Sequence, residues 1–255
     1  MESASEYHAW REALEWQVAF GADEALSEAP VNRFELAEKP KPKPAPVPAV
    51  APANVHVEAL KIDAVAEAQK AADAAQDLAQ LRRALAAFEH CELKRGARNL
   101  VFADGTEGAR LMVIGEAPGR EEDRAGLPFV GPAGQLLDKM LGAIALRREA
   151  DVYLSTVLPW RPPHNREPSS EEIAMMRPFV ARHVALAKPD MLVLMGNIAC
   201  DVGLGERGVT RLRGRWTQAF GLPALPMFEP ERLLREPLRK REAWADLLEL
   251  KARLT

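Results

Sequence analysis

The chain has 255 residues, of which 47% are hydrophobic and 28% charged, values typical of a globular domain. Its net charge of −3 excludes a strongly basic protein, and its apolar runs fall short of the about 20 residues that span a bilayer. The basic and apolar regions of a signal peptide are not recognised in the first residues, so we expect a cytoplasmic protein with no membrane partner.

The net charge conceals an asymmetry along the chain. Residues 1–80 carry 7 Lys+Arg and 14 Asp+Glu, giving −7, whereas residues 81–255 carry 27 and 23, giving +4. An acidic segment beside a mildly basic domain is compatible with nucleic-acid binding, although many proteins that bind no nucleic acid carry a similar charge.

Residues 1–38 are predicted to form an acidic helical segment. Within it a helix covers about residues 5–26, because Trp10, Leu14 and Val18 recur at a spacing of four and form an apolar stripe. A helix of this length is marginal in isolation. The stripe would therefore dock on the chain's own domain or on a protein partner, and both alternatives stay open.

Residues 39–60 are predicted to be a Pro/Ala-rich linker. Proline at every second position from Pro40 to Pro48 removes backbone donors and fixes φ, which predicts an extended spacer. Residues 61–255 would form the folded domain. Its first stretch, 62–88, is rich in Ala and free of Gly and Pro, and we predict one long helix there.

Short apolar strands alternate with helices through the rest of the domain. This alternation predicts an α/β fold: a three-layer αβα sandwich around a central, mainly parallel four-stranded sheet, preceded by the N-terminal helical and linker extension. Ligands of such sheets bind at the carboxyl ends of the strands. The predicted strands lie near 110–115, 151–160, 190–196 and 223–228, and the helices near 134–144, 170–186 and 235–253.

Three motifs lie at these strand ends. GEAPGREEDRAGLPFVG (115–131) follows the first strand and sets Phe129 in a turn bounded by glycines. RPPHNREP (161–168) follows the second strand, and PMFEPERLLR (226–235) contains the end of the fourth. Together they resemble the uracil-DNA glycosylase superfamily in its family 4 version, over the chain from about residue 81 onward.

The resemblance implies roles for the first motif. The family flips a uracil nucleotide out of single- or double-stranded DNA and hydrolyses its N-glycosidic bond. Phe129 would stack on the base, while Glu116 and Glu122 are the candidate acids that support the attacking water and the positive charge at the sugar. A solvated surface run is the alternative for Glu122. The backbone that would contact uracil belongs to Gly115, Ala117 and Gly119.

The second motif departs from the family at the strand before it. The family ends that strand with an Asn whose amide reads uracil O4 and N3–H, and Thr156 stands there in this chain. The readout should therefore be weakened or lost. Asn165 is kept as a substrate-binding residue. His164 replaces a Gly, which makes it a candidate substitute donor, with an ordinary exposed loop His as the alternative.

The third motif departs at the catalytic position. The family's His donates to uracil O2 as negative charge builds there, and Glu229 occupies that place. An ionised Glu would repel the charge, and only a protonated Glu, with its pKa raised by burial, could donate.

The resemblance also implies a DNA-binding set. Leu233 would fill the hole left by the flipped base. Residues 211–215 are expected to be extended, with their arginines on one side. The predicted phosphate contacts are Arg161, Arg166, Arg213, Arg215 and Arg235.

Family 4 holds an iron–sulfur cluster on four cysteines, and here the resemblance predicts its absence. Cys91 is the one retained ligand position, and the other three align on Phe88, Met176 and Leu192. One thiol cannot hold a cluster, and the apolar side chains would fill the space instead. No metal or other cofactor is expected.

The sequence thus predicts a monomeric uracil-DNA glycosylase-like protein of base-excision repair, weak or inactive on uracil, and nucleoid-associated if it binds DNA. The alternative is a catalytically impaired homologue that binds DNA or recruits a protein partner through its N-terminal helix. The replaced His, Asn and cluster ligands favour that alternative, whereas the retained GEAPG motif and Phe129 favour activity.

Overall fold

The computed structural model describes residues 63–254 and, within the N-terminal segment, Trp10, Arg11, Leu14 and Glu15. These four residues are helical, and Arg11 Nε donates to Glu15 Oε1 at 2.8 Å. The rest of the predicted N-terminal helix and the whole Pro/Ala-rich linker lie outside the described residues.

A mixed sheet with strand order β1-β3-β2-β4-β6-β5 forms the centre of the domain. The four central strands β3, β2, β4 and β6 run parallel, which confirms the predicted parallel core. Two strands of three residues each add antiparallel edges and extend the predicted four strands to six. The strands are β1 (Ala103–Gly105), β2 (Leu111–Gly115), β3 (Val152–Thr156), β4 (Met191–Met195), β5 (Thr217–Ala219) and β6 (Leu222–Met227).

Helices cover both faces of the sheet, so β2, β3 and β4 are buried along their whole length. In the described part of the chain, no helix combines the length and apolarity needed to cross a membrane. The helices are α1 (Ala64–Ala74), α2 (Leu78–Ala87), α3 (Leu93–Gly96), α4 (Arg120–Ala125), α5 (Pro132–Ala143), α6 (Arg148–Asp151), α7 (Ser170–Ala187), α8 (Asn197–Leu204), α9 (Val209–Leu212), α10 (Pro230–Arg235) and α11 (Lys240–Leu254).

The long helix predicted for residues 62–88 is in fact the pair α1 and α2. The chain turns at Ala75, whose carbonyl accepts from Arg182 Nε at 2.9 Å, and Asp77 then caps the second helix by accepting from Gln80 N at 2.7 Å. Side-chain capping by Asp makes a new helix start favourable even without a Gly or Pro. The helix predicted for residues 235–253 begins at Lys240 in the structure, and a short 3₁₀ turn at Pro237 separates it from α10, which was not predicted.

A buried histidine lies between α7 and the sheet. His183 stacks on Phe102 at 4.4 Å, its Nε2 lies 2.9 Å from Tyr153 Oη and its Nδ1 lies 3.4 Å from Ser155 Oγ. Burial lowers the pKa of His183 from 6.5 to about 3, so the ring is neutral in the folded protein.

This histidine should make the fold acid-sensitive. Because the folded pKa lies below the unfolded value, stability is fully present above about pH 6.5 and is lost as pH falls toward 3. We expect His183 to cost about 2 kcal/mol of unfolding free energy between about pH 7 and pH 5. Urea unfolding of the wild type and His183→Gln at both pH values measures this. Equal pH dependence in the two proteins would contradict it.

Candidate active site

A polar cleft of about 430 Å³ opens at the carboxyl edge of the sheet. Strands β2, β4 and β6 end at this edge in register, so the segments that follow them converge on the cleft. Its lining consists of Glu116, Ala117, Pro118 and Gly119 after β2, Pro162, Asn165, Arg166, Glu167 and Pro168 after β3, Asn197 and Ile198 of α8, and Glu229, Glu231 and Arg235 after β6.

Glu116 follows β2 directly, and its carboxylate lies against the first turn of α8. Its Oε1 accepts from Ile198 N at 3.0 Å. Gly196 makes room for it, since a Cβ there would lie 2.2 Å from the same oxygen. Burial raises the pKa of Glu116, and the amides of Ile198 and Asn197 oppose the rise. The helix terminus thus holds a partly desolvated carboxylate at the strand end.

Glu229 follows β6, immediately precedes α10 and lines the same cleft. Burial, with Glu116 and Glu231 adding to it, raises the pKa of Glu229 to about 8, and Arg235 opposes the rise. The backbone N–H of Glu116 also opposes the rise. At pH 7 the carboxyl is therefore mainly neutral and carries a proton that it can donate, which is the condition the sequence left open.

Phe129 is buried in a left-handed backbone conformation, with φ at 55°. Its ring packs on Gly115, where a Cβ would lie 2.5 Å from Cζ, so only glycine allows this contact. Arg148 donates to the carbonyls of Pro128 and Phe129 at 3.2 and 2.7 Å. The turn is rigidly held, and the ring lies behind the strand end and outside the lining of the cleft.

The carboxylate of Glu122 holds backbone segments of the fold together. This structural role argues against the catalytic role predicted for it. Its buried carboxylate accepts three backbone N–H bonds, from Gly119 at 3.1 Å, Val130 at 3.0 Å and Gly131 at 2.9 Å. These bonds join the two ends of the GEAPG…PFVG motif. Glu122 is absent from the cleft lining, so Glu116 and Glu229 are the predicted catalytic acids that lie at the site.

Thr156 is also turned away from the cleft. Its Oγ1 donates to Leu158 O at 2.8 Å, and the side chain is buried outside the cleft lining. This orientation agrees with the predicted weakening or loss of the uracil readout at Thr156, which stays a prediction. Asn197, which the sequence analysis missed, does line the cleft; its Oδ1 accepts from Gly208 and Val209, which leaves its amide N–H groups to donate.

The loop after β3 places Asn165 in the cleft. Asn165 Oδ1 accepts from Arg161 Nε at 2.7 Å, and Arg166 at the rim pairs with Glu172 at 2.6 Å. His164 is exposed and lies outside the cleft lining, which favours the ordinary loop residue over a substitute donor.

The predicted DNA-binding arginines fall into two groups. Arg213 is held inside the fold by Asp246 and by Glu242 O, to which its Nη2 donates at 2.7 Å, so it is not available for phosphate. Residues 209–212 form α9 instead of the expected extended segment. Arg215 and Arg235 are exposed. Within residues 63–254, Arg235 makes no hydrogen bond or ion pair, and it borders the cleft.

Leu233 is 1% exposed and packs between α5 and α11, so it cannot leave the core to fill a gap in the DNA. The accessible leucines of this region are its neighbour Leu234, at 42% exposure, and Leu238, at 93% exposure on the 3₁₀ turn that follows. The burial of Leu233 argues against its predicted role, and insertion of a leucine from this segment into DNA stays a prediction.

The four predicted cluster positions are all buried: Phe88, Cys91, Met176 and Leu192. Burial raises the pKa of Cys91, which keeps its thiol protonated. Iron–sulfur clusters take several thiolates, and among residues 63–254 no group of three or more His, Cys, Asp and Glu side chains could hold a metal. These four side chains do not fit an iron–sulfur cluster, and the absence of the cluster remains a prediction.

Fold and cleft together define an α/β sandwich with a polar cleft at the carboxyl edge of its parallel sheet, where sheets of this kind bind ligands. The sequence profile described as the uracil DNA glycosylase superfamily matches residues 102–248. The chain belongs to this superfamily.

Three similar proteins indicate which family within the superfamily the chain resembles. It is 34% identical over 182 residues to a protein named type-4 uracil-DNA glycosylase in Archaeoglobus fulgidus, covering 67% of this chain and 90% of that one. A protein of the same name in Thermotoga maritima is 37% identical over 148 residues, covering 57% and 77%. A DNA polymerase of Bacillus phage SP01 is 27% identical over 151 residues, covering 57% of this chain and 16% of that one. The predicted family 4 resemblance is confirmed.

Proposed function

We propose that the chain is a DNA N-glycosylase that takes a flipped nucleotide into the cleft and hydrolyses its glycosidic bond, with slow turnover of uracil. One observation carries this proposal: Glu116 and Glu229 line the same cleft at the ends of β2 and β6, close enough for the charge of Glu116 to raise the pKa of Glu229. A pair of carboxyl groups in unequal environments suits one for an ionised role and the other for a neutral one.

Glu116 is suited to the ionised role. The amide of Ile198 and the N-terminus of α8 stabilise its negative charge against desolvation. A carboxylate in that position accepts a hydrogen bond from the attacking water and stabilises the positive charge that develops at C1′.

Glu229 is suited to the neutral role. A protonated carboxyl donates to uracil O2, where negative charge builds as the C1′–N1 bond breaks, in place of the family's His. Thr156 does not read the O4 and N3–H edge, because its hydroxyl donates to Leu158 O. Uracil is therefore bound loosely, and slow turnover follows from imprecise positioning of the base.

The exposed groups beside the cleft support DNA as the partner. Arg235 is free to contact phosphate, and Leu234 and Leu238 are accessible to a gap in the base stack. Arg161 and Arg166 belong to the loop after β3 that borders the cleft, although they already bind Asn165 and Glu172, whereas Arg215 lines a separate pocket beside Trp216.

The pH profile of uracil release tests the role of Glu229. Because the protonated carboxyl is the donor, kcat/KM on a uracil oligonucleotide should be constant below about pH 7.5 and fall about tenfold per pH unit above about 8. In Glu229→Gln the amide donates at every pH, so its profile should be flat across the same range. Alkali cleavage of the abasic product measures both.

A fall of the same size in Glu229→Gln would assign the titration to another group and contradict the proposal. Absence of abasic product from either protein, with DNA binding intact, would favour the alternative, a DNA-binding homologue without catalysis. The hydroxyl of Thr156, turned away from the cleft, is the observation that favours this alternative.

A further inference from the structure

The cleft is richer in hydrogen-bond acceptors and negative charge than uracil requires. Its lining contains four carboxyl groups and two guanidinium groups, and Arg166 is already neutralised by Glu172. Glu167 is likewise paired, with Arg207 at 2.8 Å. This leaves Glu116, Glu231 and the titratable carboxyl of Glu229, which a bound cation would ionise, opposed by Arg235 alone among the described residues that line the cleft. Such a surface attracts a cation and disfavours a neutral dicarbonyl base.

Uracil leaves a glycosidic bond as an anion, and for that reason a donor at O2 accelerates its departure. A purine alkylated at a ring nitrogen is already cationic. When its C1′–N9 or equivalent bond breaks, the electron pair neutralises the ring, so the base leaves uncharged and needs no donor. The replacement of the family's His and the orientation of the Thr156 hydroxyl slow the release of uracil. They do not slow the release of such a cationic base, which needs neither group.

We infer that the preferred substrate of this cleft is a cationic, N-alkylated purine in DNA, bound between the carboxyl groups of Glu116 and Glu229. This inference rests on the proposed glycosylase function and names its substrate class. A volume of about 430 Å³ lies within the range of pockets that hold ligands of purine size or larger.

The reaction balances without any further reagent. The bond between C1′ and the ring nitrogen breaks, and both its electrons go to the base, which loses its positive charge. Water forms the new bond to C1′ and loses one proton to the Glu116 carboxylate, from which solvent removes it. The products are a neutral alkylated purine, an abasic sugar and one proton.

A change in pH should affect the release rates of the alkylated purine and of uracil in opposite directions. A cation between Glu116 and Glu229 favours the form in which both carboxyl groups are ionised, so its binding releases the proton that Glu229 carries at pH 7. Release of the alkylated purine therefore rises with pH toward about 8, whereas release of uracil falls above it. The charged or titratable groups around this pair are Glu231 and Arg235 of α10, Glu167 of the loop after β3 and Cys200 of α8.

The experiment compares two DNA substrates, one treated with dimethyl sulfate and one containing uracil, with the full-length protein at about pH 6.5 to 9. Released bases are separated by chromatography, and a protein-free sample corrects for spontaneous loss. We expect the wild type to release methylated purine at least about tenfold faster than uracil. Glu229→Gln removes a negative charge but keeps a donor, so it should lose about tenfold on methylated purine and stay within about threefold on uracil.

Glu206→Gln removes a negative charge from an exposed site outside the cleft and should leave both rates unchanged. A misfolded variant would lose both activities, so a loss confined to the methylated purine is not a folding effect. Uracil release without methylated purine release overturns this inference and leaves the proposed function standing. Release of neither base, with the protein folded and bound to DNA, overturns both.

Discussion

Glu122→Ala is expected to lower the free energy of unfolding by about 3–5 kcal/mol, because it leaves one buried and two half-buried backbone N–H groups without an acceptor. The exposed carboxylate of Glu121 lies next to Gly131, but it accepts none of these three hydrogen bonds. Urea unfolding followed by circular dichroism measures the change.

Glu121→Ala is the matched control, because it removes the same side chain one position earlier, where it is exposed. It should change stability by less than about 0.5 kcal/mol. If Glu122 were a catalytic acid at the cleft, its removal would abolish activity and leave the unfolding free energy unchanged. A stable, folded Glu122→Ala protein would therefore restore the original prediction from sequence.

The contrast between Glu116 and Glu122 shows which features of this site could be predicted from the sequence and which could not. Both lie in one motif, and six residues of chain separate them. Their roles are decided by α4, which starts at Arg120 and places Glu122 at its third position, where a Glu side chain returns to the backbone before the helix. The spacing from Gly119 to Glu122 was a visible signal of this capping arrangement. The path of the Val130–Gly131 backbone back to the same carboxylate was not.

The fold was predictable where buried elements leave a recognisable hydrophobic pattern in the sequence. Strand β4 is a run of five apolar residues, and such runs identify strands covered on both faces. The edge strands β1 and β5 have three residues each and no periodic pattern, so only their pairing with β3 and β6 defines them. Short edges of this kind are fixed by tertiary contacts.

Long-range pairing explains the other differences. Arg213 was predicted to contact DNA, but it meets Asp246, 33 residues away, with the pair 17% and 1% exposed. In the same way, Leu233 and Leu234 are identical neighbours, and the packing of α10 on α5 decides which is buried. A local sequence pattern contains no information on either partner.

Glu229→Leu is expected to reduce the release of uracil about 100-fold, the usual effect of losing one donor to a developing oxyanion. Leucine is similar in volume and cannot donate, so the developing charge on O2 is left unpaired in a partly buried cleft. Single-turnover rates at about pH 7 on a uracil oligonucleotide measure the chemical step directly.

The sign of this effect separates the two readings of Glu229. If the carboxyl were ionised at neutral pH it would repel the charge on O2, and Leu would then accelerate release instead of slowing it. Glu229→Gln is the isosteric comparison, since its amide retains a donor and should keep most of the rate. Faster release by the Leu variant would mean that the cleft is wetter than its geometry implies, and that Glu229 is an obstacle to uracil chemistry and not its donor.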